Sequence, residues 1–181
     1  MDHLWAPWRM GYVTQTERPQ GCVFCDKADA DRAHDCRDGI LARADHCFVV
    51  LNAFPYNNGH LMVVPYVHES DFSQLPPDTV AEMMALAQLA LVVLRSEYRA
   101  EGANIGLNIG KPAGAGIKDH LHLHVVPRWS GDTNFMTVLA ETRVAPQSLE
   151  DSHALLAPVM QDFVDKHLSH MLPCQPDSAP Q

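Results

Sequence analysis

The chain has 181 residues, 46% of them hydrophobic, and a formal charge of −9 at pH 7. That is enough apolar material for one well-buried domain and too little for two comfortable ones. The acidic balance argues against a protein that coats nucleic acid or an anionic membrane, so a phosphate-rich ligand would have to be met by a local feature.

In chain order, residues 1–21 read as an extended N-terminal arm, without the uninterrupted apolar core of a signal peptide. No apolar run approaches the roughly 20 residues of a spanning helix, and the expectation is a cytoplasmic protein. Cys22 and Cys25 form the one close pair among five cysteines, with Cys36, Cys47 and Cys174 scattered. In a reducing compartment such a pair reads as metal or redox chemistry, not as a disulfide framework. Residues 39–53 and 59–67 read as two antiparallel strands around a turn at 54–58.

After the start signal Pro76-Pro77, the spacing of Val80, Met83, Met84, Ala87, Leu91, Leu94 and Tyr98 predicts one long helix over 78–98. Its middle is apolar almost all round, which calls for cover on a second side, either from a partner subunit or from burial within one chain. Strands at 103–109 and 119–127, a loop at 129–135 and a further strand near 136–144 follow. A second helix begins near Ser148, whose spacing to Asp151 resembles a capping box, and runs to about His167 with a kink at Pro158. Residues 22–170 form the domain and 171–181 a flexible tail.

His120, His122 and His124 alternate with Leu121, Leu123 and Val125 just after a glycine-rich loop. On a strand, alternate side chains share a face, so three imidazoles project together while the aliphatic residues pack on the other side. Same-face neighbours lie about 6.6 Å apart, too far for all three to ligate one ion, but suited to an extended substrate such as a phosphate chain. Phe48, Val50 and Asn52 also share a face, an apolar shelf ending in an amide. Cys22 and Cys25 have the spacing of a zinc half-site, with a redox pair as the alternative.

The triple-histidine strand with Pro127 and Arg128 resembles the motif of the histidine triad (HIT) family. Residues 48–52, 59–65 and His68 look like that family's nucleoside-binding strands, so the likeness spans about residues 22–129. It implies an α+β fold with an antiparallel sheet, one long and one C-terminal helix, a homodimer, and nucleotidyl transfer or hydrolysis at an α-phosphate. The middle histidine, His122, would be the nucleophile, forming a covalent nucleotidyl intermediate that splits one displacement into two. By the same resemblance His124 and His60 line the α-phosphate, Asn52 holds the ribose with Val50 on the base shelf, and Asn108 lies near the phosphates. The plainer alternatives are that Asn52 caps the turn before Pro55 and that His60 is a hydrogen-bonded histidine at a strand start. Likeness to the zinc-containing branch adds His68 and His120 to Cys22 and Cys25 as ligands of a closed structural Zn²⁺ site.

One departure bears on the acceptor. Many family hydrolases carry a Gly-Gln pair before the triad, whereas this chain has Ala115-Gly116. Gly116 leaves space and a backbone N–H for a second anion such as orthophosphate. Lys111 and Lys118 flank the loop, to meet distal phosphates or simply to be solvated. Trp129, taken as a substrate contact, stands with Gly131, Asp132, Asn134, Phe135 and residues 4–9 in a pattern that looks like the bacterial diadenosine tetraphosphate phosphorylase branch. That likeness implies phosphorolysis of diadenosine tetraphosphate to ATP and ADP. The alternatives are hydrolysis of a dinucleoside polyphosphate or an adenosine phosphoramidate, and a nucleotide-binding regulatory protein without turnover.

Overall fold

Strands whose alternate side chains fill two separate buried clusters decide the architecture seen in a computed structural model, which describes residues 21–132 and 147–171. The elements are α1 (Val23–Asp29), α2 (Asp35–Asp38), β1 (Ile40–Arg43), β2 (Cys47–Leu51), β3 (Leu61–Pro65), α3 (Pro77–Tyr98), β4 (Gly102–Leu107), β5 (Leu123–Arg128) and α4 (Leu149–Met171). The strands form one antiparallel sheet in the order β1-β2-β3-β5-β4. Cys47, Val49, Leu51, Leu61, Val63, Leu121, Leu123 and Val125 enter one buried cluster with side chains of α3 and α4. Phe48, Val50, Met62 and Val64 point the other way, into a smaller cluster with Ile40 and Phe24 of α1.

The single strand expected over 39–53 is two strands. The Ala44 N–H donates to the Cys47 carbonyl at 2.9 Å, and the buried Glu82 carboxylate of α3 accepts the His46 and Cys47 N–H groups at 2.8 Å each. These bonds close a turn that no strand could span. The strand expected from 119 joins the ladder only at Leu123. Before that point the Leu121 N–H goes to the Glu69 carbonyl at 2.7 Å and is lost to the sheet.

Helix α3 follows the expected bounds closely, and by length and composition it could cross a membrane. Its apolarity has a simpler cause: one side lies on the sheet and another against α4, within a common core. The second cover expected from a partner subunit is therefore largely supplied by the same chain, leaving Met84 and Val92 about half-exposed. Helix α4 starts as expected. Ser148 Oγ accepts the Asp151 N–H at 3.0 Å and donates to the Asp151 carboxylate at 2.9 Å, satisfying an otherwise orphaned terminus. It continues beyond His167, with Pro158 inside it. The N-terminal arm, the strand near 136–144 and most of the tail lie outside the described residues.

At Gly59 a positive φ of +73° coincides with a close approach, since an added Cβ would stand 3.1 Å from the Tyr98 ring. Only glycine fits there. That turn delivers His60 to the sheet.

Candidate active site and metal centre

The three triad imidazoles share the face opposite α3 and α4, and they are buried, at 1%, 6% and 9% exposure for His120, His122 and His124. The His122 and His124 ring centres are 4.8 Å apart. A carbonyl oxygen can only accept, so the 2.9 Å contact between His122 Nδ1 and the His120 carbonyl places the hydrogen on Nδ1. The Nε2 lone pair of the neutral ring is then left to act as a nucleophile. Burial favours that neutral form: it lowers the His122 pKa against a smaller opposing effect of the backbone bond. His124 is held down to about 4 by burial and by the neighbouring His122.

His60 stands behind His124 and is 1% exposed. The Tyr56 backbone N–H donates to His60 Nδ1 at 3.0 Å, which leaves the His60 hydrogen on Nε2. His60 Nε2 in turn meets His124 Nδ1 at 3.0 Å, so the His124 hydrogen falls on its own Nε2. Asn108 Nδ2 lies 3.4 Å from that atom, and a ring N–H there requires the amide to be turned so that its oxygen faces the ring. The Tyr56 ring stacks over the same pair, 4.7 Å from His60 and 5.8 Å from His124 between centres. His60, expected to line the phosphate, thus sits one layer back and meets the triad through His124.

Asn52 serves the turn: Oδ1 accepts the Phe54 N–H at 2.9 Å, and Nδ2 lies 3.3 Å from His60 Nδ1. Val50 is on the expected face but only 1% exposed, in one apolar cluster with Phe24. Val50, expected on the base shelf, is thus part of the buried core on this face. Gly116 is exposed, with nothing within 4 Å of an added Cβ. Lys118 is exposed and paired with its neighbour Asp119 at 2.8 Å. Trp129 is displaced from its expected place: its ring packs against the helix-side core and donates to the Tyr98 carbonyl at 3.1 Å, on the opposite face from the histidines. The parity of the strand explains this, since Trp129 follows Leu123 and Val125 in odd register.

Cys22, Cys25, His68 and His120 converge, with their ligand atoms all within 4.8 Å of one another. Cys22 Sγ lies 3.2 Å from His120 Nδ1, and Cys25 Sγ 3.2 Å from His68 Nδ1 and 3.6 Å from His120 Nδ1. Tetrahedral Zn²⁺ with ordinary bond lengths separates its sulfur and nitrogen ligands by about 3.6 Å, so these residues fit the ion. The chemistry fits as well. Burial and Cys22 push the Cys25 thiol up to about 11, so two thiolates here call for a shared cation. His120 Nε2 meets the Pro65 carbonyl at 2.8 Å, which fixes the tautomer that turns Nδ1 toward the sulfurs.

Two contributors to this face escape sequence reasoning. Phe24, between the cysteines, packs its ring 5.4 Å from His120 and 5.1 Å from His122. Arg43 pairs with Asp35 at 2.7 Å and donates to the carbonyls of Ala28 and Lys27 at 2.9 and 3.0 Å, which ties the end of α1 to β1. The Cys-x-x-Cys signal pointed at α1, but nothing local pointed at Arg43.

The HIT-domain family profile matches residues 35–131. An AP-4-A phosphorylase of Mycobacterium tuberculosis is 40% identical over 162 residues, spanning 87% of this chain and 83% of the relative. A Zn-bound histidine triad family protein from Mycobacterium smegmatis superposes with a TM-score of 0.62 at 33% identity, covering 77% of this chain and 93% of that one. The diadenosine triphosphate hydrolase of Plasmodium falciparum shares the fold alone, with a TM-score of 0.56 at 15% identity over 76% of this chain and 80% of its own.

Proposed function

The chain belongs to the histidine triad family of HIT-domain proteins, and we propose on that premise that it is a nucleotidyl transferase acting at the α-phosphate of a dinucleoside polyphosphate. One observation carries the reading: His122 has its hydrogen held on Nδ1 by the His120 carbonyl, which leaves the Nε2 lone pair available beside His124. In the first step Nε2 bonds to the α-phosphorus of diadenosine tetraphosphate, the phosphorus–oxygen bond to the distal polyphosphate breaks, and ATP leaves. His124 donates its Nε2 hydrogen to a non-bridging oxygen as charge builds there. In the second step an orthophosphate oxygen attacks the adenylyl group, the phosphorus–nitrogen bond breaks, and ADP leaves.

Two observations support orthophosphate over water as the acceptor. The chain is 40% identical over 162 residues to an AP-4-A phosphorylase, and open space surrounds Gly116, the position at which the pattern of many family hydrolases has glutamine. Cys22, Cys25, His68 and His120 would hold zinc as a closed structural site, tying α1 to the strand that carries His122 and leaving no position for water. A homodimer belongs to the same reading, with Met84 and Val92 toward the second copy, as does a reducing compartment that keeps Cys22 and Cys25 as thiols. Product analysis tests it. Purified protein with diadenosine tetraphosphate and orthophosphate should yield ATP and ADP, at a rate that depends on phosphate. Equal rates of AMP and ATP formation with and without phosphate would replace this reading with hydrolysis.

A further inference from the structure

The chemistry above leaves Asp132 without a role, although its side chain is only 8% exposed. It accepts from Arg128 Nε at 2.6 Å and Nη2 at 2.7 Å, from Asn57 Nδ2 at 2.9 Å and from the Trp129 N–H at 3.2 Å. Arg128 reaches on to Asn104 of β4 at 2.9 Å, so the carboxylate is anchored to the sheet by a two-pronged charged pair. Asn57 is the bridge to the histidines. Its amide also donates to the Pro127 carbonyl at 3.1 Å, and its own carbonyl accepts the His60 N–H at 3.1 Å.

We propose that Asp132 is a positioning residue for the catalytic histidines: by fixing Asn57 it sets the turn between Asn52 and His60, and through that turn the tautomer of His124. The links are continuous. With Asn57 held, the turn presents the Tyr56 N–H to His60 Nδ1, His60 Nε2 donates to His124 Nδ1, and the His124 hydrogen is left on Nε2. A turn that drifts frees His60 to take the other tautomer, and His124 then loses the hydrogen it would offer to a phosphate oxygen. The functional half of this proposal rests on the nucleotidyl-transfer reading, whereas the structural half does not.

Two variants and two readouts test it. Asp132→Asn keeps the side chain's shape but sets an amide against Arg128 and Asn57, which both donate, and Asn57→Ala breaks the bridge while sparing the Arg128 pair. Each should lower kcat for diadenosine tetraphosphate by about tenfold or more with little change in KM, as misplaced catalytic groups do. The double variant should be no worse than the poorer single one, because both cut one chain of contacts. Long-range ¹⁵N–¹H spectra should show His124 as the Nε2–H tautomer in the unaltered protein and a gain of the Nδ1–H form in both variants. Unchanged tautomers, or independent multiplying losses in kcat, would overturn the proposal. If the unaltered protein shows no nucleotidyl transfer, the functional reading fails and the spectra still decide the role of Asp132. Should Asp132→Asn not fold, Asn57→Ala alone carries both readouts.

Discussion

Around β5 two chemistries share one depth of burial. Leu121, Leu123 and Val125 are 3%, 4% and 0% exposed toward the helices, and His120, His122 and His124 are 1%, 6% and 9% exposed on the other side. The aliphatic side is held by many small, interchangeable contacts with α3 and α4. On the histidine side, ring nitrogens face specific partners: Pro65 and Cys22 for His120, the backbone of residue 120 for His122, and His60 for His124. Among the described residues His122 Nε2 has no hydrogen-bond partner, and that is the atom the proposed nucleotidyl transfer would use. Packing decides where the strand lies, while hydrogen bonding decides which nitrogen is a base.

The sharpest way to separate the two sides is His122→Ala. Turnover should fall by at least roughly a thousandfold, with nucleotide binding by calorimetry and the melting temperature nearly kept. Loss of binding and fold together would make His122 a packing residue like its aliphatic neighbours. Cys22→Ser should lower zinc content, measured by elemental analysis, from about one ion per chain, and remove several of the roughly 10 kcal/mol that a four-ligand structural site contributes. The chemical step in protein that stays folded should change less than stability does, and metal-free protein of unaltered stability would refute the assignment.

Leu123→Ala should cost about 2–5 kcal/mol in denaturant unfolding while leaving kcat per folded molecule nearly intact. A kcat loss as large as that of His122→Ala would mean that the two faces are not separable. The smallest effect is pH-dependent. The His124 pKa lies at about 4 in the folded protein against an ordinary 6.5, so between these values the unfolded chain takes up a proton that the folded one refuses. Stability should fall as pH drops from about 6.5 toward 4, by up to on the order of 3 kcal/mol. His124→Gln should flatten that slope in unfolding curves, and an unchanged slope would assign it to other groups.

The helix over Pro77–Tyr98 and the division of β5 into two faces were legible because each is a periodic pattern that burial enforces locally. The end of α4 and the split of β1 from β2 were not. The first has no glycine or proline stop at His167, and the second depends on a turn whose N–H groups are taken by Glu82, about 35 residues away in sequence. Trp129 was misplaced for a related reason, since a pattern matched around it said nothing about strand parity at the end of β5. Cys22 and Cys25 pointed by spacing to metal or redox chemistry, whereas His68 and His120 could be joined to them only through family resemblance.

The sequence by itself determined the alternation that puts three imidazoles on one face, the long apolar helix and the paired thiols, because side-chain direction and hydrophobic period act over a few residues. Only the tertiary structure decided that Phe24 and Val50 share one buried cluster, that His60 stands behind His124, and that Asn57 links Asp132 to the histidine-bearing turn. Those outcomes are set by hydrogen bonds and packing between segments far apart in the chain. The geometry of such contacts exists only once the sheet has brought the segments together.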